Sequence, residues 1–163
     1  MTRIIRAALA AVALMTVVAS PVFAGKPIVR TIEDSGSQTI RCETVTLVEE
    51  YTRSVVVTTW LDDDGNRTRA HARVRVDGTI TAPGSTLELS DVGRFTSFVD
   101  FEPGGPPTVR DVGMVYKFSA PGLGVVAHEV GVITYFPDGS VETKGPHDVW
   151  NNGLEALLCP LFE

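Results

Sequence analysis

The sequence predicts an all-β domain, an antiparallel up-and-down barrel of about eight strands with a short C-terminal helix. Between Arg67 and Asp77, apolar residues alternate strictly with charged ones, so one face of an extended segment packs while the other meets water. The breaks between such runs are short and rich in Asp, Gly and Pro, as at 62–66 and 136–140, which favours hairpins between sequence neighbours. Strands of this kind can close into a barrel that has no exposed sheet edge. A two-sheet β-sandwich is the alternative.

The elements follow in order along the chain. Residues 25–39 are polar, with Gly36 between two serines, and predict a flexible arm ahead of a single domain at 40–163. Three leucines at helical spacing, Leu154, Leu157 and Leu158, precede Pro160 and predict a short helix laid against the barrel, over one of its mouths. The strands are expected near 42–50, 53–61, 67–77, 85–90, 94–101, 110–118, 124–136 and 140–144.

Residues 1–24 have the three parts of a cleavable secretory signal. Arg3 and Arg6 charge the N-terminus, an apolar run follows, and small or aliphatic residues end at a cut between Ala24 and Gly25. The apolar run is shorter than the ~20 residues that a membrane span requires, so no stable anchor is expected after cleavage. The predicted location is extracellular or periplasmic.

The charge of the chain limits its partners. It has 14 basic and 20 acidic residues, and two of the arginines lie in the signal, which leaves 12 against 20 and a formal charge of −8. Nucleic acid and anionic membranes require a basic surface, so neither is expected as a main partner.

The two cysteines, Cys42 and Cys159, lie near the two ends of the exported part. An isolated pair in an oxidising compartment predicts a disulfide. It would close a loop of about 117 residues, for which the chain-entropy argument gives an upper value of about 4–5 kcal/mol.

A row of basic residues is the most unusual feature of the alternating segment. Side chains two apart on a strand stand on one face. The row consists of Arg67, Arg69, His71, Arg73 and Arg75. One interpretation is a face that binds an anionic polymer or a carboxylate ligand through guanidinium groups. The alternative is cross-strand ion pairing with Glu43, Glu49, Glu50, Glu88 or Asp91.

The sequence contains no recognisable motif for catalysis, metal binding or cofactor binding. The histidines His71, His128 and His147 have no metal-ligand spacing, the acidic run at 62–66 departs from a calcium loop, and no nucleophile motif occurs. The sequence therefore predicts no catalytic residue, metal or cofactor.

Several segments together resemble a set of uncharacterised secreted bacterial proteins. The resemblance is carried by the alternating strand with 78–81, the turn at 136–140, Gly145-Pro146-His147-Asp148, and 155–159. It implies a barrel similar to the lipocalin and allene-oxide-cyclase type, over about residues 40–163. No catalytic residue carries over.

Three functions remain open. The first is a binding module for a small apolar or amphipathic ligand, for which small residues at Ala70, Ala72, Gly113 and Gly131 would leave room inside the barrel. The second is a non-enzymatic extracellular protein that binds another protein through its surface. The third is an isomerase or cyclase, which requires a polar cluster inside the barrel.

Overall fold

One antiparallel sheet dominates the computed structural model, which describes residues 26–163. Its seven strands in that range pair strictly in sequence order. They are β1 (Ile28–Arg41), β2 (Thr46–Leu61), β3 (Arg67–Thr81), β4 (Leu89–Asp100), β5 (Thr108–Ala120), β6 (Gly124–Tyr135) and β7 (Val141–Lys144). Helices α1 (Asp148–Asn152) and α2 (Leu154–Leu158) and a 3-10 turn at Cys159–Leu161 end the chain.

The meander and the C-terminal helix are confirmed, but the sheet is open. Within residues 26–163, β1 and β7 are its two edges and do not pair. The edges differ greatly in length, since β1 has 14 residues and β7 has four. Because β7 is so short, it could pair with only a small part of the free edge of β1.

The predicted boundaries need three corrections. The expected arm at 25–39 is strand β1, which pairs with β2 from Ile28 to Arg41 despite its polar sequence. Backbone hydrogen bonds hold such an edge strand, and its side chains need not be apolar. The runs predicted at 42–50 and 53–61 are one strand, β2, and the run at 85–90 mostly precedes β4 and contributes only its last two residues. Seven strands therefore replace the predicted eight among the described residues.

All of the fully buried strand residues lie on one face of the sheet, which we call the inner face. The alternation of β2 shows it: Leu47, Val55 and Val57 are buried, whereas the residues between Val55 and Val57 and on their far sides are partly or fully exposed. The register carries this face across the sheet, with Val55 opposite Val74 and Val74 opposite Phe95. The opposite side is the outer face, and it carries the predicted basic row.

Glycines with positive φ allow close backbone contacts among the C-terminal strands. Gly113 and Gly131 are paired across β5 and β6 at φ +129° and +135°, and Gly145 follows at φ +116°. A Cβ on Gly131 would collide with the carbonyl oxygen of Lys144, so only glycine allows this close backbone approach. Gly113 and Gly131, which were expected to leave room for a ligand, also allow the backbones of neighbouring strands to approach closely.

The C-terminal helices cover one end of the inner face. The predicted disulfide is confirmed: Cys42, just after β1, is bonded to Cys159, just after α2, with Cα atoms 5.5 Å apart. Leu158 of α2 is fully buried in the cluster that fills this end. The cluster takes buried residues from six strands: Ile40, Leu47, Ile80, Leu89, Phe118 and Ala127. We call this the closed end.

The predicted signal peptide and its predicted cut between Ala24 and Gly25 lie outside the described residues. In the range that the structure describes, no helix combines the length and the apolarity that crossing a bilayer requires.

Candidate functional site on the inner face

Four carboxylic acids are buried on the inner face, each at most 3 % exposed: Glu49, Asp91, Asp111 and Glu129. Charged groups are seldom buried unless they are paired, because leaving water costs several kcal/mol. Their partners therefore define the chemistry that the fold has placed inside the sheet.

Glu129 forms the best-defined pair, with His147. Glu129 lies in β6 opposite Tyr116, and an isolated bridge places His147 on its other side. The Glu129 Oε1 atom is 2.7 Å from His147 Nδ1, and both side chains are 2 % exposed. Its Oε2 atom accepts the backbone N–H of Trp150 at 2.9 Å. Both oxygens are thus engaged, and the imidazole is held by its Nδ1 side.

The second nitrogen of His147 is left without a partner. His147 Nε2 is buried and has no hydrogen bond to any described residue. When Nδ1–H donates to Glu129, a neutral imidazole presents a lone pair at Nε2. Such a nitrogen can accept a hydrogen bond from a hydroxyl or an acid, or take a proton from it. Buried polar atoms are rarely unsatisfied, so this one indicates a site for a missing donor.

Aromatic residues lie on the elements next to the pair, with Tyr116 directly opposite Glu129. Tyr135 lies with its ring 6.3 Å from that of Trp150, and Tyr116 stacks on Phe118 at 5.7 Å. Burial, helped by the negative charges of Asp111 and Glu129, raises the pKa of the Tyr135 hydroxyl above its usual range. The hydroxyl therefore stays protonated and remains a donor.

Glu49 and Asp91 form a second polar cluster. Glu49 lies in β2 and Asp91 in β4, on either side of β3. Gly78 of β3 lies between them, and a Cβ there would stand 3.3 Å from the Glu49 Oε1 atom. The missing side chain lets the two carboxyl groups meet. Gln38 of β1 donates its amide N–H to Glu49.

The Asp91 carboxyl titrates abnormally as a result. Burial, and then the hydrogen bond and charge of Glu49, raise its pKa to about 8. The backbone N–H of Lys117 opposes this shift. The Asp91 Oδ1 atom has no hydrogen-bond partner among the described residues.

Asp111 is the third inner-face group. It accepts a hydrogen bond from the hydroxyl of Ser97, which faces it across β4 and β5. Burial raises the pKa of Asp111, and the Ser97 hydroxyl partly offsets that rise.

The basic row predicted from the sequence lies on the outer face, away from these groups. His71 packs between Trp60 and Phe98, with ring centroids 4.7 and 4.6 Å away. Burial, followed by the charge of Arg69, lowers the pKa of His71. Two acids offered as partners for the row, Glu49 and Asp91, are on the inner face and are not available to it. The whole row, Arg67, Arg69, His71, Arg73 and Arg75, belongs to β3.

The three histidines lie in three different environments. His128 is on the outer face with its Nδ1 3.0 Å from the Asp148 carboxylate, His71 is in the aromatic cluster, and His147 is on the inner face. Among the described residues, no group of three or more His, Cys, Asp or Glu side chains is placed to hold a metal ion.

Sequence reasoning missed the inner-face acids, although a signal was present. Glu49 has the same parity as Leu47 and Val55, and Glu129 has the same parity as Ala127 and Ile133. Strict alternation places residues of equal parity on one face, so these acids had to face the core.

Protein-family models, curated proteins and solved structures were each compared with the chain, and none of the three comparisons found a match. What this chain does must therefore be inferred from the groups that its own fold brings together.

Proposed function

We propose that this is an exported binding protein for a small amphipathic ligand, which donates a hydrogen bond to His147 Nε2 and lays its apolar part along the inner face. The observation that carries the proposal is the buried, partnerless Nε2, fixed in place by Glu129. A mostly apolar site with a few fixed polar groups is typical of small-molecule receptors.

The apolar residues elsewhere on the inner face support an amphipathic ligand. Along the inner face beyond the polar groups, Val55, Val57 and Val74 form an apolar cluster with Phe95 packed against it. A ligand with one hydroxyl or carboxyl end and a hydrocarbon body matches this combination.

The open side of the sheet supports an entry route between β1 and β7. Ile28 and Ile32 lie on the inner face of β1 and are 43 % and 37 % exposed. His147 follows shortly after β7, the opposite edge of the sheet. In the proposal the open sheet acts as an incomplete barrel, and the ligand fills its open side. A barrel is what the resemblance to secreted barrel proteins implies.

Export is supported by the disulfide between Cys42 and Cys159, since such bonds persist in oxidising compartments. The sequence pattern of residues 1–24 agrees with it.

The test uses Trp150 as a reporter, because its backbone binds Glu129 and its ring contacts Tyr135. Trp60→Phe removes the outer-face tryptophan and leaves Trp150 alone. Medium-chain fatty acids, fatty alcohols and terpenoid alcohols are titrated while the emission of Trp150 is recorded. We expect a saturable shift with at least one of these classes; a flat response to all of them would refute the proposal.

Two substitutions of His147 then separate binding from folding. In His147→Asn the amide nitrogen takes the place of Nδ1, which keeps the donor to Glu129 and deletes Nε2. The affinity should fall about tenfold, the value of one hydrogen bond in a buried site, while the unfolding midpoint changes little. In His147→Gln the amide lies near the Nε2 position but Glu129 loses its donor, so stability should fall more than in His147→Asn. Unchanged affinity in a folded His147→Asn protein would contradict the proposed contact.

An isomerase or cyclase is the second candidate, because the Glu129–His147 pair has the geometry of an oriented general base. It is distinguished in the same samples. Each ligand that shifts Trp150 is recovered after incubation and separated by chromatography. A product of equal mass that forms with the wild-type protein and not with His147→Asn would favour the enzyme, whereas unchanged ligand favours the receptor.

A further inference from the structure

The outer face of the sheet carries a basic strip that is independent of the inner site. It consists of the β3 residues Arg69, Arg73 and Arg75 with two arginines of the next strands, Arg94 and Arg110. The register places Arg75 opposite Arg94. Like charges directly opposite each other destabilise a sheet, so stability does not explain the Arg75–Arg94 pair.

Three of these arginines are already engaged. The Arg69 guanidinium lies 4.5 Å from the centre of the Trp60 ring, and that of Arg110 lies 5.1 Å from the centre of the Phe98 ring. Arg94 is ion-paired with Asp77 at 2.5 Å. These contacts hold the flanks of the strip in place.

The side chains of Arg73 and Arg75 are exposed and form no ion pair, hydrogen bond or ring contact with any residue in the range 26–163. Their cross-strand neighbours are not acidic: Val56 and Thr96 flank Arg73, and Ser54 and Arg94 flank Arg75. The nearest acid along the strand, Asp77, is bound to Arg94. The cross-strand ion pairs that were the alternative for this row are therefore not formed at its centre.

We propose that Arg73 and Arg75 form the centre of a binding surface for an acidic polysaccharide, whose carboxylate groups they hold. A guanidinium group matches a carboxylate with two parallel hydrogen bonds. Residues two apart on a strand stand about 7 Å from each other on one face, so the two guanidinium groups take successive acidic groups of an extended chain. Trp60 and Phe98, on the strands that flank β3, hold Arg69 and Arg110 beside the two central arginines.

The overall charge favours a polysaccharide over the other polyanions. The chain from residue 26 onward has 20 acidic and 12 basic residues, and a net negative protein is repelled by densely charged DNA and by anionic membranes. A polyuronate spreads its charge more thinly and lies along a narrow strip. Acidic residues lie at both ends of the strip, with Glu33 and Asp77 near Arg75 and Asp100 opposite Arg69, so the ligand is expected to centre on Arg73 and Arg75.

The experiment measures retention of the disulfide-bonded protein on immobilised polygalacturonate at rising salt. The matched pair of variants is Arg73→Gln/Arg75→Gln and Lys26→Gln/Arg41→Gln. The first removes two charges from β3, and the second removes two charges from the segment just before β1 and from its last residue. We expect the first variant to weaken binding by about a hundredfold, about tenfold for each charge-assisted contact, and the second to bind nearly as the wild type does. The Trp150 response to small ligands should be unchanged in both.

Three results would overturn the proposal. The protein passes polygalacturonate unretained, both variants lose retention equally, or the protein prefers DNA or phosphatidylglycerol vesicles to polygalacturonate at equal salt. The last result would leave the strip as an anion surface but would assign it to a different partner.

Discussion

At the scale of single residues, the Asp91 carboxyl on the inner face keeps its proton to a higher pH than an exposed carboxyl does. Its pKa is raised from 3.8 to about 8 by burial and by Glu49. Between these values the folded protein holds a proton that the unfolded chain has lost. The folded state therefore binds more protons, and the free energy of unfolding falls as the pH rises through this window. Below about pH 4 both states are protonated, and above about pH 8 both are ionised.

We expect Asp91→Asn to remove this dependence. In the wild type, this proton contributes a loss of at most about 1.4 kcal/mol per pH unit between about pH 4 and pH 8. The neutral amide has no proton to lose, so the variant should gain stability relative to the wild type as the pH rises. Urea unfolding at about pH 5 and pH 8 measures it. Asp63→Asn, in an exposed turn, is the control and should keep the wild-type slope; an equal slope in Asp91→Asn would contradict the assignment.

The sequence predicted part of this residue-scale structure and missed the rest for a physical reason. The disulfide needs only two cysteines and a compartment, and it was predicted. The meeting of Glu49 with Asp91 depends on Gly78, which lies between them on a third strand. Alternation along one strand shows which way each acid points, but only the register of three strands shows that two acids meet.

At the scale of elements, Gly131 controls how the sheet turns. Its φ of +135° and its contact with the Lys144 carbonyl oxygen, which a Cβ would overlap, leave no room for a side chain. Such glycines are the usual means of bending a sheet sharply. The close approach at Gly131 and Gly145 lies beside the bridge through which Glu129 meets His147.

We expect Gly131→Ala to cost at least about 3 kcal/mol of stability, since the backbones of β6 and β7 must separate. Gly139→Ala is the matched control: it also has positive φ, at +84°, but a Cβ there meets nothing within 4 Å. Only backbone strain remains, about 1–2 kcal/mol. Thermal unfolding of the two variants gives the comparison, and similar losses in both would show that β6 and β7 are not held together at this point.

The elements are predictable where the side-chain pattern is regular. β3 stands out because its charged and apolar residues alternate without a break, and the Asp and Gly residues at 62–66 and 136–140 reveal those turns. β1 escapes prediction because an edge strand is held by its backbone, and its polar side chains show no pattern. Polar residues near Tyr51 interrupt the apolar pattern, so the sequence predicts two strands there. In the structure β2 continues through Tyr51, which pairs with Gly36.

At the scale of the whole molecule, the C-terminal segment acts as a clasp across the sheet. α1 binds β6 through the contact of Trp150 with Glu129, and the bond from Cys159 to Cys42 reaches the far edge of the sheet beside β1. Glu163 adds to it by accepting the backbone N–H of Thr44 at 3.1 Å. The first and last parts of the domain are thus fastened together while the strand edges β1 and β7, within the described residues, remain unpaired with each other.

Removing the disulfide should open the C-terminal segment before the whole domain unfolds. In Cys42→Ala/Cys159→Ala, the unfolded chain regains the entropy of a loop of 117 residues, and we expect a loss of about 2–5 kcal/mol in the free energy of unfolding. The sheet keeps its strand pairing, so the first segment to open should be the one after Gly153, which is held by side-chain packing of its leucines and Phe162 and not by strand pairing. Limited chymotrypsin digestion should release C-terminal fragments from the variant well before the strands are cut, whereas the oxidised wild type resists.

The disulfide and the packing of α2 can be separated with the same digestion. Adding a reducing agent should bring the wild type to the cleavage rate of the variant and leave the variant unchanged, because only the wild type has a bond to lose. Equal resistance of the reduced and oxidised proteins at the C-terminus would mean that packing of Leu158, and not the disulfide, holds the clasp closed.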